Sequence, residues 1–93
     1  MYVFGGFVEG DRVDHTYKFN FKTGEWRRIT FFQQDIRPSA RAGHTAVVAK
    51  NEAGTSFMYV FGGKDNQDNK LNDLWKLNLS TEKWECVEPD HSL

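Results

Sequence analysis

The sequence has little cysteine, no excess of charge of either sign and no long apolar run. Its single cysteine, Cys86, excludes an intrachain disulfide framework and fits a reducing compartment, so a cytoplasmic location is the default expectation. The 12 basic and 13 acidic residues leave a formal net charge of −1. Because the chain has no net positive charge to attract phosphates, it is not expected to bind nucleic acid. No stretch reaches the roughly 18 apolar residues of a membrane-spanning helix, so no membrane association is expected either.

Aromatic residues and glycine are plentiful by comparison. Phe, Tyr and Trp make up 15% of the 93 residues, and 8 glycines stand against 2 prolines. Aromatic side chains are enriched in strands and glycine in turns, so this composition favours strands and turns. At this length the chain can form one small domain at most, with a thin core.

The chain contains an internal repeat. The six letters MYVFGG occupy residues 1–6 and recur unchanged at residues 58–63. Further on, residues 14–26 align with residues 72–84, and the spacing differs by one residue, in a loop where insertions are tolerated. Self-similarity of this kind indicates one structural unit used twice.

Each copy alternates apolar and polar residues with a period of two, which predicts strands with one buried face. In the first copy Tyr17, Phe19 and Phe21 alternate with polar residues, and residues 74–79 repeat the pattern. Short connections such as residues 22–24 suit antiparallel neighbours. The predicted strands are residues 2–4, 17–21 and 25–29 in the first copy, and residues 44–49, 57–61, 74–79 and 83–87 in the second.

Taken together, these features resemble the kelch repeat over nearly the whole chain. The family pattern joins a basic residue, glycine and histidine, a hydrophobic strand ending in paired glycines, a Tyr or Trp in the third strand, and a Trp that opens the fourth. In the second copy the matching residues are Arg41, Gly43, His44, Gly62, Gly63, Trp75 and Trp84. In the first copy they are Gly5, Gly6, Tyr17 and Trp26. Paired glycines alone are common, whereas the ordered set occurring twice is specific.

The resemblance implies an all-β fold of antiparallel four-stranded blades from a kelch β-propeller, here incomplete with about seven strands. The implied parts are an incomplete blade at residues 1–31 with strands two to four, an inter-blade loop at 32–41, a complete blade at 42–88 and a tail at 89–93. Propellers close with four to eight blades. The chain is therefore expected to be cut from a longer protein, to come from an incomplete gene reading, or to assemble with other chains; truncation at an internal methionine is the simplest account.

The motif residues are expected to be structural. Paired glycines leave room for a neighbouring backbone, and Trp26 and Trp84 are each expected to be buried between adjacent sheets. The small residues at 46–49 suit an innermost strand. For His44 a structural hydrogen bond is expected rather than catalysis.

No metal or cofactor is predicted. His15, His91 and Cys86 lack the spacing of a zinc site. Residues 65–76 lack the glycine and the closing glutamate of a calcium loop. The paired glycines do not open a phosphate-binding loop, because neither its lysine nor a following helix is present.

The loops remain as candidates for function. In a propeller, the loops between second and third strands lie on the same face as those leading to the next blade, which here are residues 7–13, 64–70 and 32–41. Charged surfaces with a few large apolar residues are typical of protein recognition. The candidate partner-binding residues are Phe7, Glu9, Asp11, Arg12, Phe32, Arg37, Arg41, Lys64, Asp65 and Asp68.

For function, the resemblance implies a protein-protein interaction module in an adaptor or scaffold, which needs no catalytic residue. Its expected partners are other proteins and further kelch blades, from the parent chain or from other copies. The alternative is part of a kelch-type propeller enzyme, such as a sugar-acting oxidase or isomerase, although the two blades show no set of ligands for such chemistry. A third interpretation is an inactive fragment.

Overall fold

A computed structural model of the chain describes residues 1–32 and 34–88, and within these ranges the chain forms nine β-strands and no helix. The all-β prediction is thus confirmed. The predicted tail at 89–93 lies outside the described residues. The strands are β1 (Tyr2–Phe4), β2 (Phe7–Val8), β3 (Asp11–Arg12), β4 (Thr16–Asn20), β5 (Glu25–Ile29), β6 (Thr45–Lys50), β7 (Ser56–Lys64), β8 (Lys70–Asn78) and β9 (Lys83–Glu88).

The first sheet contains β1, β4 and β5 in that order, and all its pairs are antiparallel. A tight turn joins β4 to β5. Its geometry is set by Asn20, whose side-chain oxygen accepts hydrogen bonds from the backbone N–H groups of Lys22 and Thr23. Gly24 closes the turn with a φ of 72°, a conformation that glycine adopts without steric cost.

The second sheet contains β6, β7, β8 and β9 in chain order, so each strand pairs with its sequence neighbour. Between β8 and β9, Asn78 repeats the role of Asn20, because its side chain accepts hydrogen bonds from the N–H groups of Ser80 and Thr81. Strand β6, which carries the small residues at 46–49, lies at the edge of this sheet and is exposed along its length. Both copies therefore reverse the chain with the same local chemistry.

The first of the predicted loops contains strands of its own. All seven predicted strands are present, and residues 7–13 add the hairpin of β2 with β3. At its tip Glu9 and Gly10 have φ values of 51° and 87°. Two consecutive residues with positive φ are what a tight two-residue hairpin turn requires, so this connection is a small hairpin and not an irregular loop.

The second of these loops is shorter than predicted. Strands β7 and β8 continue their pairing until Lys64 lies opposite Lys70, with an irregularity between Phe61 and Gly63. Only residues 65–69 remain as a turn. The hairpin holds the side chains at its tip in defined positions relative to the sheet.

The core lies between the two sheets. Phe4 packs edge-to-face against Trp84, with ring centroids 5.1 Å apart, and Trp84 is only 5% exposed. Burial of apolar surface in this layer is the main force that joins the sheets. The buried cluster also contains Met58, Val60 and Leu77, with Tyr2, Phe31, Trp75 and Leu79 packed against it.

The prediction that Trp26 is buried between sheets is wrong for this chain, since the residue is 54% exposed. On β5, Arg27 reaches Glu82 in the turn between β8 and β9, and Ile29 is buried. Side chains alternate between faces along a strand. Trp26 therefore lies on the opposite face of the first sheet, directed away from the second.

Candidate protein-binding face

Two of the predicted loops meet at one end of the sheets. Asn66, in the turn between β7 and β8, bonds the backbone of Arg12 in the β2–β3 hairpin: its side-chain oxygen accepts from the N–H of Arg12 at 2.9 Å, and its amide donates to the C=O of Arg12 at 3.0 Å. The guanidinium of Arg12 also lies 3.5 Å from the carboxylate of Asp68. The hairpin of the first copy and the turn of the second thus form one surface.

A groove of about 460 Å³ opens on this surface. Three cationic side chains contribute to its lining, Arg12, Lys64 and Lys70, together with the apolar side chains of Phe7 and Leu71. Phe7 is 62% exposed, and the guanidinium of Arg12 lies 4.9 Å from its ring centroid. None of the described lining residues is acidic. The groove therefore combines positive charge with an exposed aromatic ring.

The groove has this shape because the paired glycines admit a strand of backbone. A side chain at Gly63 would place its Cβ 2.7 Å from the C=O of Ala42, and at Gly5 it would lie 2.8 Å from the C=O of Arg41. Across these gaps the N–H of Gly6 donates to Arg41 at 2.8 Å, and Ala42 exchanges backbone hydrogen bonds with Lys64. Residues 41–44 thus run between the two glycine pairs.

Arg41 is among the predicted partner-binding residues, but the structure shows that it is not part of the exposed face. The residue is 0% exposed, and its guanidinium donates to both carboxylate oxygens of Asp73, at 2.6 and 2.8 Å. Its remaining N–H groups donate to Ser39 and to the C=O of Gly62. Burial raises the pKa of Asp73, but hydrogen bonds from Arg41 and Trp75 outweigh it, and the pKa lies below its ordinary value. Arg41 therefore acts as a buried tie between the inter-copy segment and β8.

His44 joins the two sheets through a backbone contact. Its Nε2 lies 2.8 Å from the C=O of Phe4, an acceptor, so Nε2 carries the proton of a neutral ring. Burial lowers the pKa of His44 from its ordinary value of 6.5; the bond to Phe4 opposes this shift, and the nearby charge of Arg41 adds to it. The neutral ring is thus the form that suits the interface.

Asp65 shapes the turn between β7 and β8. Its carboxylate accepts hydrogen bonds from the N–H groups of Gln67 and Asn69, both at 3.0 Å. The bond from the backbone of Asn69 is the largest cause of a lowered pKa for Asp65. Within residues 1–32 and 34–88, no group of three or more His, Cys, Asp or Glu side chains could hold a metal ion.

The remaining predicted residues are spread over the surface. Glu9 and Asp11 are exposed on the hairpin, and the exposed Phe32 donates its N–H to Asp35. Arg37 lies 3.4 Å from Asp14 and lines a separate cleft of about 210 Å³. Of the ten candidates, the groove gathers only Phe7, Arg12 and Lys64.

Sequence reasoning missed Lys70 and Leu71 as groove residues. The signal that could have found them is hairpin symmetry, because extending the β7–β8 pairing toward its turn brings Lys70 opposite Lys64. The two glycines before Lys64 hid this extension, since glycines favour turns over strands.

Sheets that repeat in tandem along the chain and pack face to face are the arrangement of β-propeller blades. The sequence profile described as the KLHDC2/KLHL20/DRC7 Kelch-repeats domain matches residues 1–92. The chain belongs to the kelch-repeat family.

Several curated proteins are similar to this chain in sequence. The "tRNA wybutosine-synthesizing protein 2/3/4" of Arabidopsis thaliana is 37% identical over 81 residues, 87% of this chain and 7% of that protein. The "Leucine-zipper-like transcriptional regulator 1 homolog" of Drosophila melanogaster is 35% identical over 99% of this chain and 9% of its own length. "Host cell factor 2" of Homo sapiens is 48% identical over 57% of this chain and 7% of its own length. The chain therefore spans less than a tenth of the length of each of these relatives.

Among the described residues, no helix is long and apolar enough to cross a membrane.

Proposed function

We propose that this chain is a non-catalytic protein-protein interaction module of a cytoplasmic adaptor or scaffold, and that it binds partners through the groove between the β2–β3 hairpin and the β7–β8 turn. Residues 1–31 and 42–88 act as two successive blades, joined by segment 32–41. One observation carries the proposal: the groove contains three cations, an exposed aromatic ring and no acidic side chain among its described lining residues. Arginine and aromatic side chains are enriched at protein interfaces.

The composition of the groove also selects the kind of partner. Arg12 is partly neutralised by Asp68, whereas Lys64 and Lys70 lie opposite each other and are exposed. Two positive charges on directly opposed residues repel each other, and a partner that brings negative charge relieves this repulsion. The ring of Phe7 offers an apolar contact beside them. The expected partner segment is therefore acidic and carries at least one large apolar residue.

The experiment is a fluorescence-anisotropy titration with labelled acidic, neutral and basic peptides, each carrying one leucine. Acidic peptides should bind best, with an affinity that falls as salt rises. The variants Lys64→Glu and Lys70→Glu should each weaken binding by about tenfold or more. The control Lys50→Glu makes the same change on the exposed edge strand β6 and should leave binding unchanged.

Equal binding of all three peptide classes, or equal loss in Lys50→Glu, contradicts the groove as the binding site. The enzymatic alternative draws on the name of the Arabidopsis relative, of which the matching region covers only 7%. It also includes the sugar-acting oxidases and isomerases among kelch-type propellers. Turnover of a sugar by the chain, together with no peptide binding, would favour that alternative.

A further inference from the structure

The outer face of the first sheet, directed away from the second, is an uncovered aromatic surface. It carries Val3, Tyr17, Phe19 and Trp26, which alternate with the residues that face the second sheet, and one charged residue, Arg28, opposite Tyr17. Trp26 lies 4.9 Å from Phe19 and 6.4 Å from Tyr17, between ring centroids. Phe21 extends the array at 5.2 Å from Phe19 and is 75% exposed. Contiguous apolar patches of this kind mark interaction sites.

The second sheet carries the same surface in a covered state. Strand pairing sets Val60 opposite Trp75 and Leu77 opposite Trp84, as it sets Val3 opposite Tyr17 and Phe19 opposite Trp26. In the second sheet Val60 and Leu77 are 0% exposed. Trp84 is 5% exposed, whereas its counterpart Trp26 is 54% exposed, and Val3, the counterpart of Val60, is 40% exposed. The surface is thus buried at three positions in the second sheet, and in the first sheet it is exposed at two positions and partly buried at Tyr17 and Phe19.

Two aromatic residues of the first sheet provide the cover. Phe4 packs against Trp84, and the hydroxyl of Tyr2 donates to the C=O of Leu79 at 3.2 Å. Their counterparts in the repeat are Tyr59 and Phe61, which alternate with Val60 and therefore lie on the far face of the second sheet. Phe61 is 50% exposed. The chain thus presents both halves of one interface, uncovered, on opposite sides.

We propose that the outer aromatic face of the first sheet binds the Tyr59–Phe61 face of a second copy of this chain, head to tail. The occupant is a second copy because the observed packing of Tyr2 and Phe4 already shows how such a face fits these four positions. By the same equivalence, the Tyr59 hydroxyl donates to the C=O of Phe21, the counterpart of Leu79. An interface between unlike faces generates a ring if its rotation closes and a filament if it does not.

One ion pair of the contact within the chain has no counterpart between copies. Within the chain, Arg27 and Glu82 form an ion pair at 2.9 Å. Their counterparts in the repeat are Glu85 and Gly24, which cannot form it. Assembly is therefore expected to depend on the aromatic residues and not on this ion pair.

The experiment measures molar mass by size-exclusion chromatography with light scattering, over a range of concentrations. The wild-type chain should form a species of several copies, with strand signal in circular dichroism. Trp26→Glu disables one face and Phe61→Glu the other, and each variant alone should be monomeric. Mixed at equal concentrations they should form a dimer and nothing larger, because only one intact pair of faces remains. The control Val48→Glu changes an exposed residue of β6 that lies opposite Met58 and therefore off the Tyr59–Phe61 face, so this variant should assemble like the wild type.

Three results overturn the inference. The first is a wild-type chain that is monomeric at the highest concentration, and the second is a wild-type aggregate that persists in both variants. The third is a dimer of Phe61→Glu alone, which would indicate that two outer aromatic faces pair with each other. Should the glutamate variants lose their strand signal, Trp26→Ala and Phe61→Ala give the same comparison. Neither face contributes to the groove. The proposal of peptide binding in the groove and the proposal of self-assembly are therefore tested independently of each other.

Discussion

Replacing Arg41 with methionine tests whether the buried ion pair holds the inter-copy segment in place. The side chain of Arg41 is 1% exposed and that of Asp73 is 11% exposed. All five guanidinium N–H groups of Arg41 have an acceptor, on Asp73, Ser39 or Gly62. Methionine has a similar length but no charge and no donor, so Arg41→Met leaves the carboxylate buried without its partner.

The expected loss is large for a chain of this size. Removing one partner of a buried ion pair costs about 3–5 kcal/mol, because the remaining charge is left uncompensated. Arg37→Met is the matched control: Arg37 lies 3.4 Å from Asp14, and both side chains are more than a third exposed. An exposed pair contributes about 0–1 kcal/mol. The two identical substitutions should therefore differ by at least about 2 kcal/mol.

The assay is urea unfolding at pH 7, followed by tryptophan fluorescence and by circular dichroism at one fixed protein concentration. The double variant Arg41→Met/Asp73→Asn should recover part of the loss, because asparagine removes the unpaired charge and still accepts a hydrogen bond from Trp75. A free energy of unfolding for Arg41→Met within about 1 kcal/mol of that for Arg37→Met would refute the role given to the pair.

Acid adds a second test of the same pair. The folded pKa of Asp73 lies below its ordinary value of 3.8, so its contribution to stability is present above that value and is lost as the pH falls below it. In Arg41→Met the main hydrogen bonds that lower this pKa are gone, while burial still raises it. The cost of the substitution should therefore shrink between pH 7 and pH 3.8. A cost that is constant over this range contradicts the assignment.

Two further predictions concern the contact between the sheets. Trp84→Ala should lower the free energy of unfolding by about 3–5 kcal/mol, since Trp84 is buried. As the control, Phe32→Ala changes an exposed residue and should alter the free energy by less than about 0.5 kcal/mol in the same urea titration. Equal urea midpoints for the two variants would show that Trp84 is not part of the core. His44 has a lowered folded pKa, so the unfolded chain binds its proton more readily and stability should fall as the pH drops through 6.5. His44→Gln, whose amide can still donate to Phe4, should flatten this pH dependence, and an unchanged slope in the variant would contradict it.

Local patterns in the sequence were sufficient for much of the fold. The repeated MYVFGG segments, the alternation of Tyr17 and Phe19 with polar residues, and the turns after Asn20 and Asn78 depend on neighbouring residues only. Strand identity and antiparallel pairing within each sheet follow from such short-range preferences. The seven predicted strands are all present for this reason.

Contacts between distant segments could not be deduced in the same way. Trp26 and Trp84 are equivalent in the repeat, yet one is exposed and the other buried, because burial depends on whether another sheet lies against that face. Arg41 is polar and comes from a loop, but its partner Asp73 lies on β8, 32 residues away. The groove likewise needs the hairpin of one copy to bond the turn of the other. Periodicity indicates which residues share a face of a strand, and only the packing of the two sheets determines which faces are covered, since apolar surface is buried wherever the chain brings a complementary surface against it.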